Sequence, residues 1–332
     1  MNRRSLAQNG ILTLVAVALF GIMSCKPNPK TETSEETGSE EMAMEDSKPE
    51  LKISLAQWSM HKMIFEGGVD PYTFAEKASK WGFEGLEYVS ALYYKELQAA
   101  NFSEEAMNNW VAKSKAESEK YGLENLLIMV DGQGDLANVD EAARKAAVEN
   151  HYKWVDAAAA LGCHSIRVNL NGTQDPAEWV PASVSGLTQL ATYAKDKGIN
   201  VIIENHGGPS SNAKLLAEVM QKVNMENVGT LPDFGNFCIK REAGDYYQSK
   251  CVEEYDRYKG VEELMPYAKG VSGKSFDFDA DGNETTIDFA RMIKIMEDAG
   301  YSGYIDVEYE GNVLSEEEGI LATKKLIERI LE

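Results

Sequence analysis

Three carboxylates, Glu204, Asp233 and Glu308, each close a short strand-like run, and the runs lie far apart in the chain. Gathered round one point they repel one another unless a cation sits between them. Carboxylate oxygens favour hard divalent ions such as Mg²⁺ or Mn²⁺, and an added imidazole widens the choice to Zn²⁺ or Co²⁺. A divalent ion on adjacent oxygens of a sugar polarises a carbonyl and lowers the pKa of a hydroxyl. Glu204 and Glu308, facing each other across such an ion, would remove and return a proton beside that carbonyl through an enediolate. Lys274 adds positive charge where the oxyanion forms. His206, two residues beyond Glu204 and on its face of the strand, is a further candidate ligand.

Five more residues suit a substrate. Trp58 offers a ring to stack on a sugar face, and His61 follows it at the end of the first strand. Arg167 could bind an anion through two N–H groups, or neutralise surplus carboxylates. Asn169 shares its strand face, and Glu87 points the same way from the second strand. A single charge at a strand end is usually a solvated rim residue. Several strands placing charges together, where burial is costly, argue for a shared function.

The elements that must position these side chains read as eight strand–helix units. The strand candidates are 51–59, 85–89, 125–131, 164–170, 200–205, 228–233, 269–276 and 303–309. Between them run amphipathic stretches such as NHYKWVDAAAALG. Gly82, Gly122, Gly162, Gly198 and Gly300 precede the next strand as helix C-caps. Eight such units predict an α/β fold, a (β/α)8 TIM barrel over residues 51–332. A doubly wound sheet is the competing architecture, and no Gly-rich phosphate turn follows any strand to favour it. Strand parity then turns Glu87, Arg167, Asn169, Ile202, Glu204, Leu231, Asp233, Ser272, Lys274, Asp306 and Glu308 inward. The polar ones gather at the C-terminal strand ends, where barrel enzymes build their sites.

The barrel is preceded by a different kind of sequence. Arg3 and Arg4, an apolar run over 11–23 and then Ser24-Cys25 read as a secretion signal, residues 1–24, too short to span a bilayer. Cys25 after that run resembles the lipidated cysteine of bacterial lipoproteins. Acyl chains there would anchor the chain to a membrane. Residues 25–50, rich in acids and poor in large apolar side chains, form a flexible acidic linker. Lys26 after Cys25 points to the periplasmic side of an outer membrane or to the cell surface.

The formal net charge of −21, from 33 Lys+Arg and 54 Asp+Glu, argues against a nucleic-acid partner. Four cysteines in 332 residues do not make a disulfide scaffold, and no pairing is assigned to Cys163, Cys238 and Cys251. Of the four histidines, His151 within a helix and His164 at a strand start read as structural.

Ile203-Glu204-Asn205-His206-Gly207-Gly208, Leu231-Pro232-Asp233-Phe234-Gly235-Asn236-Phe237 and Val307-Glu308-Tyr309-Glu310-Gly311 resemble the xylose isomerase-like TIM-barrel superfamily. The closer likeness is to its sugar phosphate isomerase/epimerase branch. That resemblance implies a divalent metal held by Glu204, Asp233 and Glu308, with the two glutamates as acid and base. It also implies a fourth ligand, a histidine in the seventh strand, where this chain has Ser272 followed by Gly273 and Lys274. The endonuclease branch, which needs more histidines, fits less well. The expectation is an exported, lipid-anchored isomerase or epimerase acting on a sugar or keto-sugar. A keto-sugar lyase or hydrolase using the same base and metal is a near variant. A sugar-binding lipoprotein without chemistry is the alternative that the missing histidine favours.

Overall fold

The computed structural model describes residues 50–332. The expected signal segment, Cys25 and all of the linker but Glu50 lie outside the described residues. Eight parallel strands form one sheet: β1 (Leu51–Ala56), β2 (Gly85–Val89), β3 (Glu124–Val130), β4 (Ser165–Val168), β5 (Asn200–Glu204), β6 (Val228–Leu231), β9 (Val271–Ser275) and β10 (Gly303–Tyr309). An antiparallel hairpin, β7 (Cys238–Arg241) and β8 (Cys251–Glu254), is inserted after β6.

The sheet runs β6-β5-β4-β3-β2-β1-β10-β9. Its two ends approach through the isolated bridges Thr230–Ala268 and Asp233–Ser272. Ser272 N donates to Pro232 O at 2.9 Å, and Phe234 N to Ser272 O at 3.1 Å. The seam is thus tied at Asp233 and Ser272. This is the (β/α)8 barrel that the spacing predicts.

The helices are α1 (His61–Phe65), α2 (Phe74–Lys80), α3 (Tyr94–Ala99), α4 (Glu104–Tyr121), α5 (Glu141–Leu161), α6 (Pro176–Lys195), α7 (Ala213–Val223), α8 (Arg257–Leu264), α9 (Phe289–Asp298) and α10 (Glu316–Leu331). Most begin at a short polar side chain that accepts from a first-turn N–H: Ser103, Asp140, Asp175, Asn212, Asp256, Asp288 and Ser315. Gly122 and Gly162 end α4 and α5 in the left-handed conformation, as expected of C-caps. Among the described residues, no helix is long and apolar enough to cross a membrane.

Six of the eight strands end before their expected runs do, and the residues past β1, β4 and β6 include Trp58, Asn169 and Asp233. Inside the barrel, the methyl groups of Leu127, Ile202 and Leu231 converge on Gly270 and fill the N-terminal end. The carboxylate cluster described below lies toward the other end.

The cysteine expectation is corrected. Cys238 and Cys251 form a disulfide, with Cα atoms 5.8 Å apart. Counting thiols could not find it, because the pair exists only once the inserted hairpin sets β7 beside β8. Cys163 is free and buried.

Candidate active site

The end of β5 carries Glu204, Asp233 lies two residues past the end of β6, and β9 and β10 carry Lys274 and Glu308 as register neighbours. All four side chains are buried, none more than 3% exposed. Glu204, Asp233 and Glu308 each bring an oxygen into one cluster, all within 4.8 Å of one another.

Each carboxylate is held differently. Glu204 Oε2 lies 2.8 Å from Arg167 Nε, and its Oε1 accepts from Asn236 Nδ2 at 2.7 Å. Asp233 Oδ1 accepts from the Gly235 and Asn236 N–H groups, both at 2.7 Å. Its Oδ2 has no hydrogen-bond donor among the described residues. Glu308 Oε2 accepts from Ser272 Oγ at 2.9 Å. Lys274 Nζ stands among carboxylates, 3.4 Å from Glu310, 3.6 Å from Glu308 and 3.7 Å from Asp233. Arg167 also reaches Asp131 at 2.9 Å, and Asn169 Nδ2 donates to the same oxygen at 2.8 Å.

These surroundings separate the two glutamates. Burial alone would raise the Glu204 carboxyl, but Arg167, assisted by His206 and Lys274, holds it below its ordinary range. Burial pushes Glu308 well above its own range; Lys274 opposes this, while Glu204 and Asp233 reinforce it. Burial likewise raises Asp233 to about 6 against the pull of Lys274. The carboxyls of the two glutamates are thus shifted in opposite directions within one cluster.

The cluster suits a divalent cation. Five carboxylates (Asp131, Glu204, Asp233, Glu308, Glu310) surround two paired cations, Arg167 and Lys274. The formal excess is three negative charges, which must be met by protons or by a cation. The undonated Oδ2 of Asp233 offers a free ligand oxygen. The three candidate ligands are all oxygen donors, which would favour a hard ion.

A cavity of about 620 Å³ opens above the cluster. Trp58, Arg167, Asn169, His206, Lys274 and Glu308 line it. Trp58 Nε1 donates to Glu310 Oε1 at 2.5 Å. His206 lines the cavity but is not among the atoms clustered for a metal, so the carboxylates lack the imidazole that was a candidate ligand. Burial pushes its pKa below the ordinary value, with Glu204 pulling the other way. Two candidates are not among the residues lining this cavity. His61 stacks behind Trp58, ring centroids 4.4 Å apart, with Nδ1 toward Trp58 O and Glu316. Glu87 does point inward but one layer down, accepting from Ser54 Oγ at 2.7 Å and lining a cavity at the N-terminal end. Parity gives a residue's face and not its height, and β2 sits lower than the expectation required.

Sequence reasoning missed the hairpin contribution. Arg241 and Tyr247 line the same cavity. Tyr247 packs on His206 at 4.7 Å, and its hydroxyl donates to Asn171 Oδ1 at 3.0 Å. Gly207 and Gly208, both at positive φ, make the notch the hairpin needs: a Cβ on Gly208 would lie 2.6 Å from the Tyr246 ring. The Gly207-Gly208 pair beside Glu204 was the available signal. Asn236 and Glu310 stood within the quoted motifs without an assigned role.

The family pattern described as "Xylose isomerase-like TIM barrel" matches residues 75–330, and the chain belongs to that family. Inosose dehydratase of Clostridium perfringens is 28% identical over 145 residues, which cover 40% of this chain and 48% of that protein. The chain thus spans about half the length of the curated relatives it matches. Among solved structures, D-psicose 3-epimerase of Clostridium cellulolyticum H10, determined with D-tagatose, has a TM-score of 0.61 at 15% identity. That match covers 85% of this chain and 99% of the epimerase. The IOLI protein with a binding zinc atom has a TM-score of 0.62 at 16% identity, over 84% and 98% of the two chains. Likenesses at this identity speak for the fold.

Proposed function

We propose that this member of the xylose isomerase-like TIM-barrel family is an enzyme that moves a proton beside the carbonyl of a sugar or keto-sugar, as an isomerase or epimerase. The observation that carries this reading is the opposed setting of Glu204 and Glu308 within one carboxylate cluster. Glu204, Asp233 and Glu308 would hold a divalent ion, whose chemistry there is Lewis-acid polarisation of the carbonyl. Mn²⁺ and Mg²⁺ suit the oxygen donors best; Co²⁺ and Zn²⁺ remain open.

The chain's own residues supply the rest. Glu204, kept ionised by Arg167, takes the C–H proton next to the carbonyl. Lys274 places an ammonium beside the cluster, where negative charge develops on oxygen. Glu308, whose carboxyl burial pushes upward and which Ser272 and Lys274 orient, returns a proton. Proton return to the opposite face of the same carbon gives an epimer; return to the former carbonyl carbon, with the neighbouring hydroxyl's proton passing to the former carbonyl oxygen, gives an isomer. Asn169 and the Trp58 ring are placed to hold hydroxyls and a sugar face.

The inosose dehydratase match favours a second outcome from the same first step. If a hydroxyl leaves from the carbon beyond the carbanion, water is lost and an unsaturated ketone forms. Incubating the full chain and Mn²⁺ with cyclic and open-chain keto-sugars, followed by NMR of the products, separates the two. A rearranged sugar of unchanged mass supports isomerisation; a product lighter by one water supports dehydration; no product from any compound counts against both.

Export belongs to the same proposal. The Cys238–Cys251 disulfide suits an oxidising compartment, in agreement with the signal-like start of the sequence. Lipidation of Cys25, with a membrane anchor on the periplasmic side or cell surface, is tested by fatty-acid labelling in cells. Label lost in Cys25→Ala supports the anchor, and an unlabelled parent chain counts against it.

A further inference from the structure

The inserted hairpin brings a second kind of charge to the cavity. Arg241 Nε donates to Tyr246 O at 3.0 Å and Nη1 to Ser249 O at 2.6 Å, both carbonyls of the hairpin's own turn. Arg241 pairs in register with Cys251, which is bonded to Cys238. Tyr246 sits in the Gly207-Gly208 notch, and its hydroxyl donates to Gly172 O at 3.1 Å. The guanidinium is therefore fixed by its own turn, by a covalent cross-link and by a keyed contact with the barrel rim.

Its charge is unspent. Of the three Lys and Arg side chains lining the cavity, Arg167 and Lys274 are each paired with carboxylates. No carboxylate among the described residues lies within 4.0 Å of an Arg241 nitrogen, and its Nη2 makes no hydrogen bond there. In a chain with 54 acidic residues to 33 Lys+Arg, an immobilised guanidinium without a carboxylate is a built feature of this mouth. A planar guanidinium already held in place loses little freedom on binding an anion and presents paired donors to it.

We infer that the substrate is an anionic sugar, bearing a carboxylate or a phosphate that Arg241 binds on the hairpin side of the cavity. This rests on the cavity's being the sugar site proposed above. The carboxylate cluster then handles the reacting carbons, and Arg241 selects by charge at the other side. Asn171 and Tyr247 stand ready for the intervening hydroxyls.

Calorimetric titration of the full chain, loaded with Mn²⁺ at low salt, tests this. The probes are D-glucose, D-glucuronate and D-glucose 6-phosphate, with the D-galactose, D-mannose and D-fructose counterparts of each. One anionic series should bind roughly ten- to a hundredfold more tightly than its neutral parents. Which series does so tells carboxylate from phosphate. Arg241→Leu should abolish the preference, Arg241→Lys should keep part of it, and neutral sugars should change less than about twofold in either. Equal binding of charged and neutral sugars, a preference that survives in Arg241→Leu, or no anionic sugar binding at tens of millimolar would each overturn the assignment. Binding is read without turnover. A charge preference with no proton exchange would sink only the proposed reaction, and exchange with no preference only the role of Arg241.

Discussion

Arg167 bridges Asp131 and Glu204, with Nη1 at 2.9 Å from one carboxylate and Nε at 2.8 Å from the other. It is buried, 4% exposed, so little water screens it. In the proposed reaction this pairing, more than any property of Glu204 itself, suits Glu204 to act as the base. Burial pushes the Glu308 carboxyl the other way, upward, with Lys274 opposing. Arg167→Met should cut proton exchange by roughly 10²–10³-fold. The sign of the pH effect is fixed: without the guanidinium the Glu204 carboxyl titrates higher, so the acid limb of the pH–rate profile moves to higher pH. A profile that falls in height without moving would mean that Arg167 serves only the fold.

Asn236 holds two of the proposed metal ligands. Its side-chain amide donates to Glu204 Oε1 and its backbone N–H to Asp233 Oδ1. Asn236→Ala should therefore weaken divalent-ion binding by roughly 10–100-fold, the usual effect of removing such a support. Asp233→Asn should weaken it further. Titration with Mn²⁺, followed calorimetrically, checks both, and unchanged affinity in Asp233→Asn would exclude it as a ligand.

Glu87 predicts a slope of stability with pH. Burial raises its carboxyl from an ordinary 4.5 to about 7, against the Ser54 hydrogen bond and the Asp306 contact. The folded chain thus holds a proton between those two values that the unfolded chain has released. Stability from this group is complete below about 4.5 and is lost as pH rises through about 7, on the order of 3 kcal/mol at most. Glu87→Gln keeps the shape and offers Asp306 a donor. It should flatten the slope and raise the melting temperature at pH 8 by roughly 5 °C. Thermal scans between pH 5 and 8 decide it, and parallel curves for the two proteins would refute it.

The disulfide should matter more to the site than to the fold. It closes a hairpin of 13 residues' separation that carries Arg241 and Tyr247 but few core side chains. Cys238→Ser with Cys251→Ser should leave the barrel's melting temperature within a few degrees. Hydrogen exchange over residues 238–254 should quicken, and KM should rise several-fold with kcat less affected. A collapse of the barrel on reduction would contradict this.

The sequence and the structure agree where one rule suffices. Period-2 alternation put Glu204, Asp233, Lys274 and Glu308 on a shared face, and the strand order placed those faces together. The motif around Asp233 already contained Asn236. The errors have physical causes. Glu87 has the right face at the wrong height, because side-chain parity is blind to the barrel's stagger. His61 follows a strand, and its ring stacks on Trp58 with Nδ1 toward Trp58 O and Glu316. The hairpin has weak, partly charged strands (CIKR and CVEE) with no core face, so hydrophobic pattern gave no sign of it, of its disulfide or of Arg241.

The most direct measurement is deuterium wash-in. The full chain with Mn²⁺ is incubated in D₂O with neutral and anionic ketoses, and carbon-bound deuterium is read by NMR. The account predicts deuterium at the carbon beside the carbonyl, reduced by roughly 10³-fold or more in both Glu204→Gln and Glu308→Gln. No incorporation into any sugar, or equal incorporation by the folded glutamine variants, would contradict it.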